Sequence, residues 1–359
     1  MRKHYIDNLR WLAVLMLFPY HIFMIYNTFG ESFYIKGPDI GLTSGFIVAT
    51  GRWFMPLLFA IAGTSSAYAL KKRTTVEYLK ERITKLLIPL IFGVLLIVPP
   101  QTYFAERYHN GYTGGYFEQY ILFFTKATDL TGYHGGFTPG HLWFILYLFV
   151  ISLLALPIMK AYPKTDKKQD KKPVLQKVPF FALLLFFILP LLGSLILDIG
   201  GKILGEYFAY FMLGYFLLSN ESVLERAEKH RFILLFMSIL TSILILLGWS
   251  GVIQGIPVIA YGIFSSFCAW VTILALFGIC RRNLNYTNKI TDYFSKSSFA
   301  VYVFHQTWIV VAAYYVFMFT SNPAVQMLII LCASVIATFL SYEVFKRTPF
   351  TRFLFGIKR

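Results

Sequence analysis

Cysteine is scarce in this sequence: its 359 residues include only Cys268, Cys280 and Cys332. All three lie in or at the end of apolar segments, and they show no paired spacing. Neither a disulfide framework nor a zinc site is therefore expected. We expect no metal site in the protein.

Charge is also scarce, since Asp, Glu, Lys and Arg make up 14% of the chain while hydrophobic residues make up 57%. The mean hydropathy of +0.62 is typical of a protein surrounded by lipid. No polar stretch between the apolar blocks is long enough to bury a core of its own. We therefore predict a single membrane-embedded domain over residues 1–359, of the all-α integral membrane class.

Acidic residues are few, with 17 Asp and Glu against 33 Lys and Arg, which gives a formal net charge of +16. In a soluble protein this excess would point to nucleic acid. Here the basic residues form short runs between apolar blocks, a placement that indicates orientation in a membrane. Membrane lipids, and no nucleic acid, are the expected surroundings.

Ten segments approach the roughly 20 helical residues that cross a hydrocarbon core of about 30 Å. The sequence lacks the alternating pattern of barrel strands, so these segments are predicted as helices of a polytopic bundle. The sixth segment is the weakest, because it is short and contains Gly214. The predicted limits are 8–27, 48–70, 86–105, 141–161, 178–198, 204–219, 231–249, 257–280, 298–319 and 324–345.

Lys and Arg fix the predicted orientation. With the N-terminus inside, 28 of the 33 basic residues fall in cytoplasmic segments. This segregation requires an even number of spans and predicts that both termini are cytoplasmic. The basic and then apolar N-terminus is like a signal peptide, but no small-residue cleavage site follows, so we expect it to remain as the first helix.

Two connections between the predicted helices differ in composition from the others. Residues 162–177 contain the run KTDKKQDKK and are predicted to be a solvated, charged cytoplasmic linker. Residues 106–140 form an aromatic extracytoplasmic loop, whose apolar stretch at 116–124 predicts a short helix on the outer interface. Long loops often cover a site. We find no internal repeat, which weakens a transporter interpretation based on inverted repeats.

An ionisable side chain inside a spanning helix is energetically unfavourable unless it faces the protein interior, so each one is a candidate functional group. The candidates are Arg10, His21, Arg52, His141, His305 and Glu343.

Arg10 and His21 are eleven residues apart, which is about 20° beyond three helical turns, so they share one predicted face. Pro19 removes a helical hydrogen bond and favours a kink beside His21. A neutral imidazole there accepts a proton from a hydroxyl, and the cation towards the cytoplasm suits an anionic cofactor. The alternative is structural: His21 bonds a neighbouring helix, and Arg10 reaches the head groups.

Ser298, Tyr302 and His305 lie along one helical stripe, for which a structural hydrogen-bond network is the competing interpretation. Glu343 is predicted to pair with Lys346 or Arg347. Trp143 is typical of an interfacial anchor, because it lies near a helix end.

Several stretches resemble the acyltransferase 3 family of membrane proteins. The segment IDNLRWLAVLMLFPYHIFMIYN is similar to that family's first helix, whose mark is an Arg, ten residues and a His, matched by Arg10 and His21. The segments RWFMPLLFAIAG, YLKERITKLLIPLIFG, HLWFILYLFVISLL and SSFAVYVFHQTWIVV resemble later family helices, in family order. The start YIDNLRW and the ending TPFTRFLFGIK resemble the branch that includes periplasmic glucan succinyltransferases.

The resemblance implies transfer of an acyl group, acetyl before succinyl, from cytoplasmic acyl-CoA to a hydroxyl of an extracytoplasmic carbohydrate. It implies a catalytic role for His21, as general base or acyl carrier, and a role for Arg10. The family's cytoplasmic Arg-x-x-Arg motif is matched imperfectly by Arg82 and Lys85, because lysine lacks the bidentate fork of arginine. The family also implies a multi-pass protein of the bacterial plasma or inner membrane. We expect no fused soluble transfer domain after the last helix.

The remaining roles follow from the chemistry of acyl transfer, which needs a base, an oxyanion donor and cations for the CoA diphosphate. Tyr302 or His305 is expected to polarise the thioester or to orient His21. Arg73 joins Arg10, Arg82 and Lys85 as a candidate CoA-binding cation. The substrate-side candidates are Arg52, His141 and Trp143.

Other functions stay open at this level. A transporter or flippase would use the same polar residues to line a path, and a glycan receptor would bind without turnover. The acyl group, the acceptor glycan and a homo-oligomeric state are not determined.

Overall fold

A computed structural model describes residues 3–30, 33–128, 130, 135–161 and 178–357. The predicted linker 162–177 and part of the predicted loop 106–140 lie outside the described residues. The α-helices are α1 (His4–Leu15), α2 (Leu17–Met24), α3 (Gly41–Leu70), α4 (Thr75–Arg82), α5 (Ile88–Leu96), α6 (Pro99–His109), α7 (Tyr116–Phe123), α8 (Trp143–Ala161), α9 (Phe180–Leu184), α10 (Ile188–Gly193), α11 (Leu204–Phe216), α12 (Glu221–Lys229), α13 (Arg231–Trp249), α14 (Val258–Asn283), α15 (Lys289–Phe319), α16 (Pro323–Phe345) and α17 (Pro349–Leu354).

Short segments complete the secondary structure. A π-helical turn, Ile83–Leu87, joins α4 to α5, and 3-10 turns occur at Gly140–Leu142 and Leu185–Phe187. Strands β1 (Asp198–Ile199) and β2 (Lys202–Ile203) pair antiparallel. The two glycines between these strands have φ of +58° and +74°, left-handed values that a tight hairpin turn requires.

Seven helical stretches among the described residues are long and apolar enough to cross a membrane. They confirm an all-α membrane protein, and they match seven of the ten predicted segments. The total of ten spans and the N-in, C-in orientation remain predictions. The seven stretches are Gly41–Leu70, Thr75–His109, Gly140–Ala161, Arg231–Trp249, Val258–Asn283, Lys289–Phe319 and Pro323–Phe345.

The first predicted segment is not one regular helix. It consists of α1 and α2, with an interruption at Met16. Pro19 has no N–H to donate to the carbonyl four residues earlier, at Leu15, and the interruption falls at the next residue. The interruption therefore lies about one turn before Pro19, and the kink expected beside His21 remains a prediction.

The fifth and sixth predicted segments are also shorter than a full span. The apolar stretch Phe180–Gly193 is interrupted by a 3-10 turn, and α11 has 13 residues, a length of about 20 Å. Helix α11 begins at the predicted residue, Leu204, directly after the β-hairpin, and it ends at Phe216, three residues before the predicted limit.

The chain divides into two compact units. The first unit comprises Met1–Arg10, Val48–Lys80 and Leu148–Asn288. Helices α3 and α11 approach very closely in it: a Cβ atom added at Gly63 would lie 1.9 Å from the Phe211 carbonyl oxygen, and one added at Gly214 would lie 2.1 Å from that of Ala60. Thr64 donates a hydrogen bond of 3.1 Å to the Gly214 carbonyl. Gly214, which weakened the sequence-based prediction of this span, is needed for close helix packing.

The second unit comprises Trp11–Ile47, Glu81–Tyr147 and Lys289–Arg359. Helix α15 packs against α2, α6 and α16 within it. The middle of α15 is continuously buried from Ala300 to Gln306. A helix that is buried on all sides occupies the core of its unit, and the functional candidates Tyr302 and His305 lie on this stretch.

Helix α7 corresponds to the short helix predicted at 116–124. Its side chains Phe117 and Ile121 are 80% and 66% exposed, and Phe123 is buried. Exposed large apolar side chains on a short helix are typical of a helix that lies on a lipid surface. Its outer interfacial location remains a prediction.

Candidate active site

Three histidines from distant parts of the sequence meet in the second unit. His21 comes from α2, His141 from the 3-10 turn before α8, and His305 from α15. The ring centroids of His21 and His305 are 5.2 Å apart, and so are those of His141 and His305. His305 is fully buried and His141 is 6% exposed. The central imidazole of this triple cluster is therefore that of His305.

Backbone carbonyls fix the proton positions on His305. Its Nδ1 lies 2.7 Å from the carbonyl oxygen of Tyr302, one turn earlier in α15. A carbonyl only accepts, so Nδ1 carries the proton and donates. The Nε2 atom of the neutral ring then presents a lone pair, and it has no hydrogen-bond partner among the residues that the structure describes. This buried nitrogen is available to accept a hydrogen bond or a proton from a ligand.

His141 is held in the opposite tautomer. Its Nε2 lies 2.9 Å from the carbonyl oxygen of Val303 and therefore donates to it. Its Nδ1 accepts from the amide nitrogen of Gln101 at 3.3 Å. The Tyr302 hydroxyl donates to the His141 carbonyl. Both ring nitrogens are engaged within the protein, so the arrangement orients His141 instead of offering it to a ligand. Its predicted substrate-binding role remains a prediction.

An amide and hydroxyl network supports this arrangement. Gln101 on α6 donates a 2.7 Å hydrogen bond to Thr307, which in turn donates to the Ile97 carbonyl at 2.7 Å. The Gln306 amide donates to Gln101 at 3.1 Å. These residues are uncharged and were not among the ionisable groups predicted from the sequence to be functional. Their signal is the presence of two amide side chains within the membrane-spanning stretches Thr75–His109 and Lys289–Phe319, where polar groups need partners.

His21 lies on α2, and an aromatic residue stacks against it. The ring of Phe33 is parallel to the imidazole to within 15°, with centroids 5.9 Å apart. Phe33 is held in turn through its carbonyl, which lies 2.8 Å from the His109 ring at the end of α6. His21 is half-buried, so it is more accessible than His305. This difference suits His21 to contact substrate and His305 to act beside it.

Two predicted functional cations, Arg10 and Arg52, lie in the first unit, and each contacts side chains of that unit. Arg10 forms a 3.0 Å ion pair with Asp7 and donates a 2.8 Å hydrogen bond to Ser65. Arg52 donates to the Tyr261 hydroxyl at 3.2 Å, with its guanidinium 5.1 Å from that ring's centroid. Arg10 and His21 belong to different units, so their predicted common face remains a prediction.

Arg82 and Lys85, which match the family's cytoplasmic Arg-x-x-Arg motif imperfectly, lie near the junction of α4 and α5. Arg82 is half-buried at the end of α4, and Lys85 lies in the π-helical turn Ile83–Leu87, paired with Glu81 at 2.7 Å. Single π-helical turns are frequent at functional sites. Arg73 is exposed in the turn before α4.

Two further sequence-based expectations concern helix ends. Glu343 pairs with Lys346, as predicted, with the Lys346 amine 2.6 Å from the carboxylate, which also accepts from the Tyr293 hydroxyl at 3.0 Å. Trp143 is 8% exposed, and its ring lies edge-on to Tyr147. Its predicted substrate and anchor roles remain predictions.

These features define a class: a polytopic helical membrane protein with a buried histidine and tyrosine cluster suited to proton transfer. The chain matches the family model described as an acyltransferase domain over residues 3–343. It therefore belongs to the acyltransferase 3 family, as its motifs predicted, and this membership supports an acyltransferase activity.

The chain is also similar to curated relatives along almost its whole length. It is 22% identical to glucans biosynthesis protein C of Salmonella gallinarum, covering 99% of this chain and 95% of the relative. The Salmonella typhi protein of the same name has the same identity and coverage. The protein of that name from Salmonella schwarzengrund is 25% identical over 52% of this chain and 47% of its own length. No solved structure matches the chain.

Proposed function

We propose that the protein is an O-acyltransferase of EC class 2.3.1 that moves an acyl group from cytoplasmic acyl-CoA to a hydroxyl of an extracytoplasmic carbohydrate. Acetyl is the first candidate for the acyl group and succinyl the second. The observation that carries the proposal is the cluster of His21, His141 and His305 in a chain of this family. The names of the relatives support a glucan or another polysaccharide as acceptor.

In the proposed reaction the acceptor oxygen attacks the thioester carbonyl carbon, and the C–S bond breaks. A histidine takes the hydroxyl proton and passes it to the departing CoA sulfur. His21 is the proposed base. In the second route a ring nitrogen of His21 attacks the thioester carbonyl carbon, the C–S bond breaks, and CoA leaves as its thiolate. The acceptor hydroxyl then attacks the acyl-imidazole, the C–N bond breaks, and the hydroxyl proton neutralises the CoA thiolate.

His305 is proposed to act beside His21 through its Nε2 lone pair. Because Nδ1 is committed to the Tyr302 carbonyl, the ring cannot exchange the roles of its two nitrogens without losing a buried hydrogen bond. The Tyr302 hydroxyl is committed to the His141 carbonyl. We therefore assign to His305 a second proton-accepting role beside that of the base His21, and to Tyr302 and His141 the positioning of the cluster.

Acyl-CoA is the proposed co-substrate, and its phosphates are anionic. The proposed binding cations are Arg10, Arg73, Arg82 and Lys85, all in segments predicted to be at or near the cytoplasmic side. Charge-assisted contacts from such side chains are the usual means of holding a diphosphate. No metal is part of the proposal.

The acceptor is proposed to approach along an aromatic cluster of the second unit. Arg107 donates to the hydroxyls of Tyr103 at 2.8 Å and Tyr314 at 3.1 Å. Arg107 lies six positions beyond Gln101 on α6 and Tyr314 lies seven positions beyond Thr307 on α15, which is a rise of about 10 Å along each helix from the histidine cluster. Tyrosine faces and a guanidinium fork match the apolar faces and hydroxyls of a sugar.

The proposed location is the plasma or inner membrane of a bacterium, with lipid around the spans. The single domain over residues 1–359 and the charged cytoplasmic linker remain part of this proposal. Arg52 is kept as a candidate cation for the distal carboxylate of a succinyl group.

The test uses the purified full-length protein in lipid nanodiscs, with labelled acetyl-CoA or succinyl-CoA and a glucan acceptor. Label should reach the glucan with the wild type and be lost with His21→Ala. His4→Ala, the same substitution near the start of α1, is the matched control and should retain transfer. Undiminished transfer by His21→Ala would refute the proposed role of His21, and label found on the wild-type protein itself would favour the acyl-histidine route.

A further inference from the structure

A cavity of about 260 Å³ opens beside the π-helical turn of the second unit. The C-terminal helix α17 and the residues that follow it form its opposite wall. It is lined by Thr84, Lys85, Pro349, Arg352, Phe353, Gly356 and Ile357. Of these seven described residues, two are cationic and five are uncharged, so the lining favours an anion.

The C-terminal wall is a packed part of the fold. Thr348 caps α17 by accepting from the Thr351 amide at 3.2 Å. The ring of Phe355 is 2% exposed and packs 5.1 Å from that of Phe304 on α15. Gly356 has a φ of +61°, and a Cβ atom there would lie 2.8 Å from the Phe299 ring. This close approach fixes the segment that carries Arg352.

The two cations of the cavity differ in their partners. Lys85 is paired with Glu81 at 2.7 Å, which offsets its charge. Arg352 forms no ion pair with a carboxylate of the residues that the structure describes. An arginine at a cavity wall with no carboxylate partner is suited to an external anion, and its planar fork matches two oxygens of a phosphate.

We propose that this cavity binds a phosphate of the CoA nucleotide, with Arg352 supplying the bidentate contact that Lys85 cannot make. The assignment rests on the proposed function, which places acyl-CoA on the predicted cytoplasmic side. Lys85 is the second donor of the cavity, since the Thr84 hydroxyl donates to the Glu81 carbonyl at 3.3 Å. Phosphate is the shared chemistry of CoA and of lipid head groups, and CoA is favoured here because Lys85, one of the proposed CoA-binding cations, lines the cavity.

The test measures the dissociation constant of CoA for the full-length protein in nanodiscs of phosphatidylcholine. Arg352→Gln should weaken CoA binding by about tenfold or more, as expected for loss of a charge-assisted contact. Arg352→Lys should give an intermediate loss, because it keeps the charge but not the fork. Arg347→Gln removes the same charge from an exposed position outside the cavity and is the matched control. Thermal melting of each variant verifies folding.

The outcomes separate the sources of phosphate. Equal CoA affinity for Arg352→Gln and Arg347→Gln would overturn the assignment. A loss with Arg352→Gln that occurs only when anionic lipid is present would also overturn it and point to a head group. If 3′-dephospho-CoA binds wild type and Arg352→Gln equally, the contact is assigned to the 3′-phosphate, and a loss with both ligands assigns it to the diphosphate. Wild type that binds CoA but transfers no acyl group would refute the proposed function and leave the cavity assignment intact.

Discussion

Replacement of His305 by asparagine should remove catalysis while leaving the fold in place. The asparagine amide nitrogen occupies nearly the position of Nδ1, so it keeps the hydrogen bond to the Tyr302 carbonyl, which is 2.7 Å long in the wild type. The atom that disappears is Nε2, which has no partner among the described residues. Of the two ring nitrogens, the substitution therefore removes only Nε2, which we propose accepts a proton.

The expected effect on stability is modest. The side chain is fully buried, and the lost ring atoms leave a cavity of about 40 Å³, which at about 24 cal/mol per Å³ is roughly 1 kcal/mol. The expected effect on rate is much larger, because general acid–base catalysis contributes about 10²- to 10⁴-fold. We expect kcat to fall by that factor and KM for the donor and acceptor to change by less than about threefold.

The assay is the acyl transfer rate in nanodiscs as a function of donor and acceptor concentration. Ser298→Ala is the matched control, because Ser298 lies on the same stripe of α15 and its hydroxyl donates only within the helix, to the Ser295 carbonyl at 3.1 Å. A kcat for His305→Asn within a few-fold of that for Ser298→Ala would refute the role of Nε2. A loss confined to KM would place His305 in substrate binding instead.

Two further predictions concern packing and the acceptor. Gly63→Ala should lower the free energy of unfolding by about 1–3 kcal/mol or prevent folding, because its Cβ atom would lie 1.9 Å from the Phe211 carbonyl oxygen. Gly262→Ala, whose Cβ atom meets nothing within 4 Å, should leave the melting temperature unchanged, and equal effects of the two would contradict the packing argument. The double variant Tyr103→Ala and Tyr314→Ala should raise KM for the glucan by about 5- to 160-fold with KM for acyl-CoA unchanged, since each aromatic contact contributes about 0.5–1.5 kcal/mol. A change confined to the donor KM would place this cluster outside the acceptor path.

Much of the candidate site could be predicted from the sequence, because ionisable residues are rare in membrane-spanning segments and usually have a function there. His21 and His305 were identified as ionisable groups in apolar helices, and their proximity follows the expectation that such groups face the protein interior. Gln101 was missed, because an uncharged amide is less conspicuous than a charge. Arg352 was missed because it follows the last span among ordinary interfacial residues.

The sequence by itself determined that this is a helical membrane protein of the acyltransferase 3 family, because hydropathy and motif order are properties of the chain. It located the span 231–249 at the bounds the structure has, Arg231–Trp249. Only the tertiary structure decided that His141 joins His305 and which nitrogen of each carries the proton, because the fixing carbonyls belong to another turn or another helix. It also showed that the first span is broken at Met16, since the effect of Pro19 depends on the hydrogen bonds available around it.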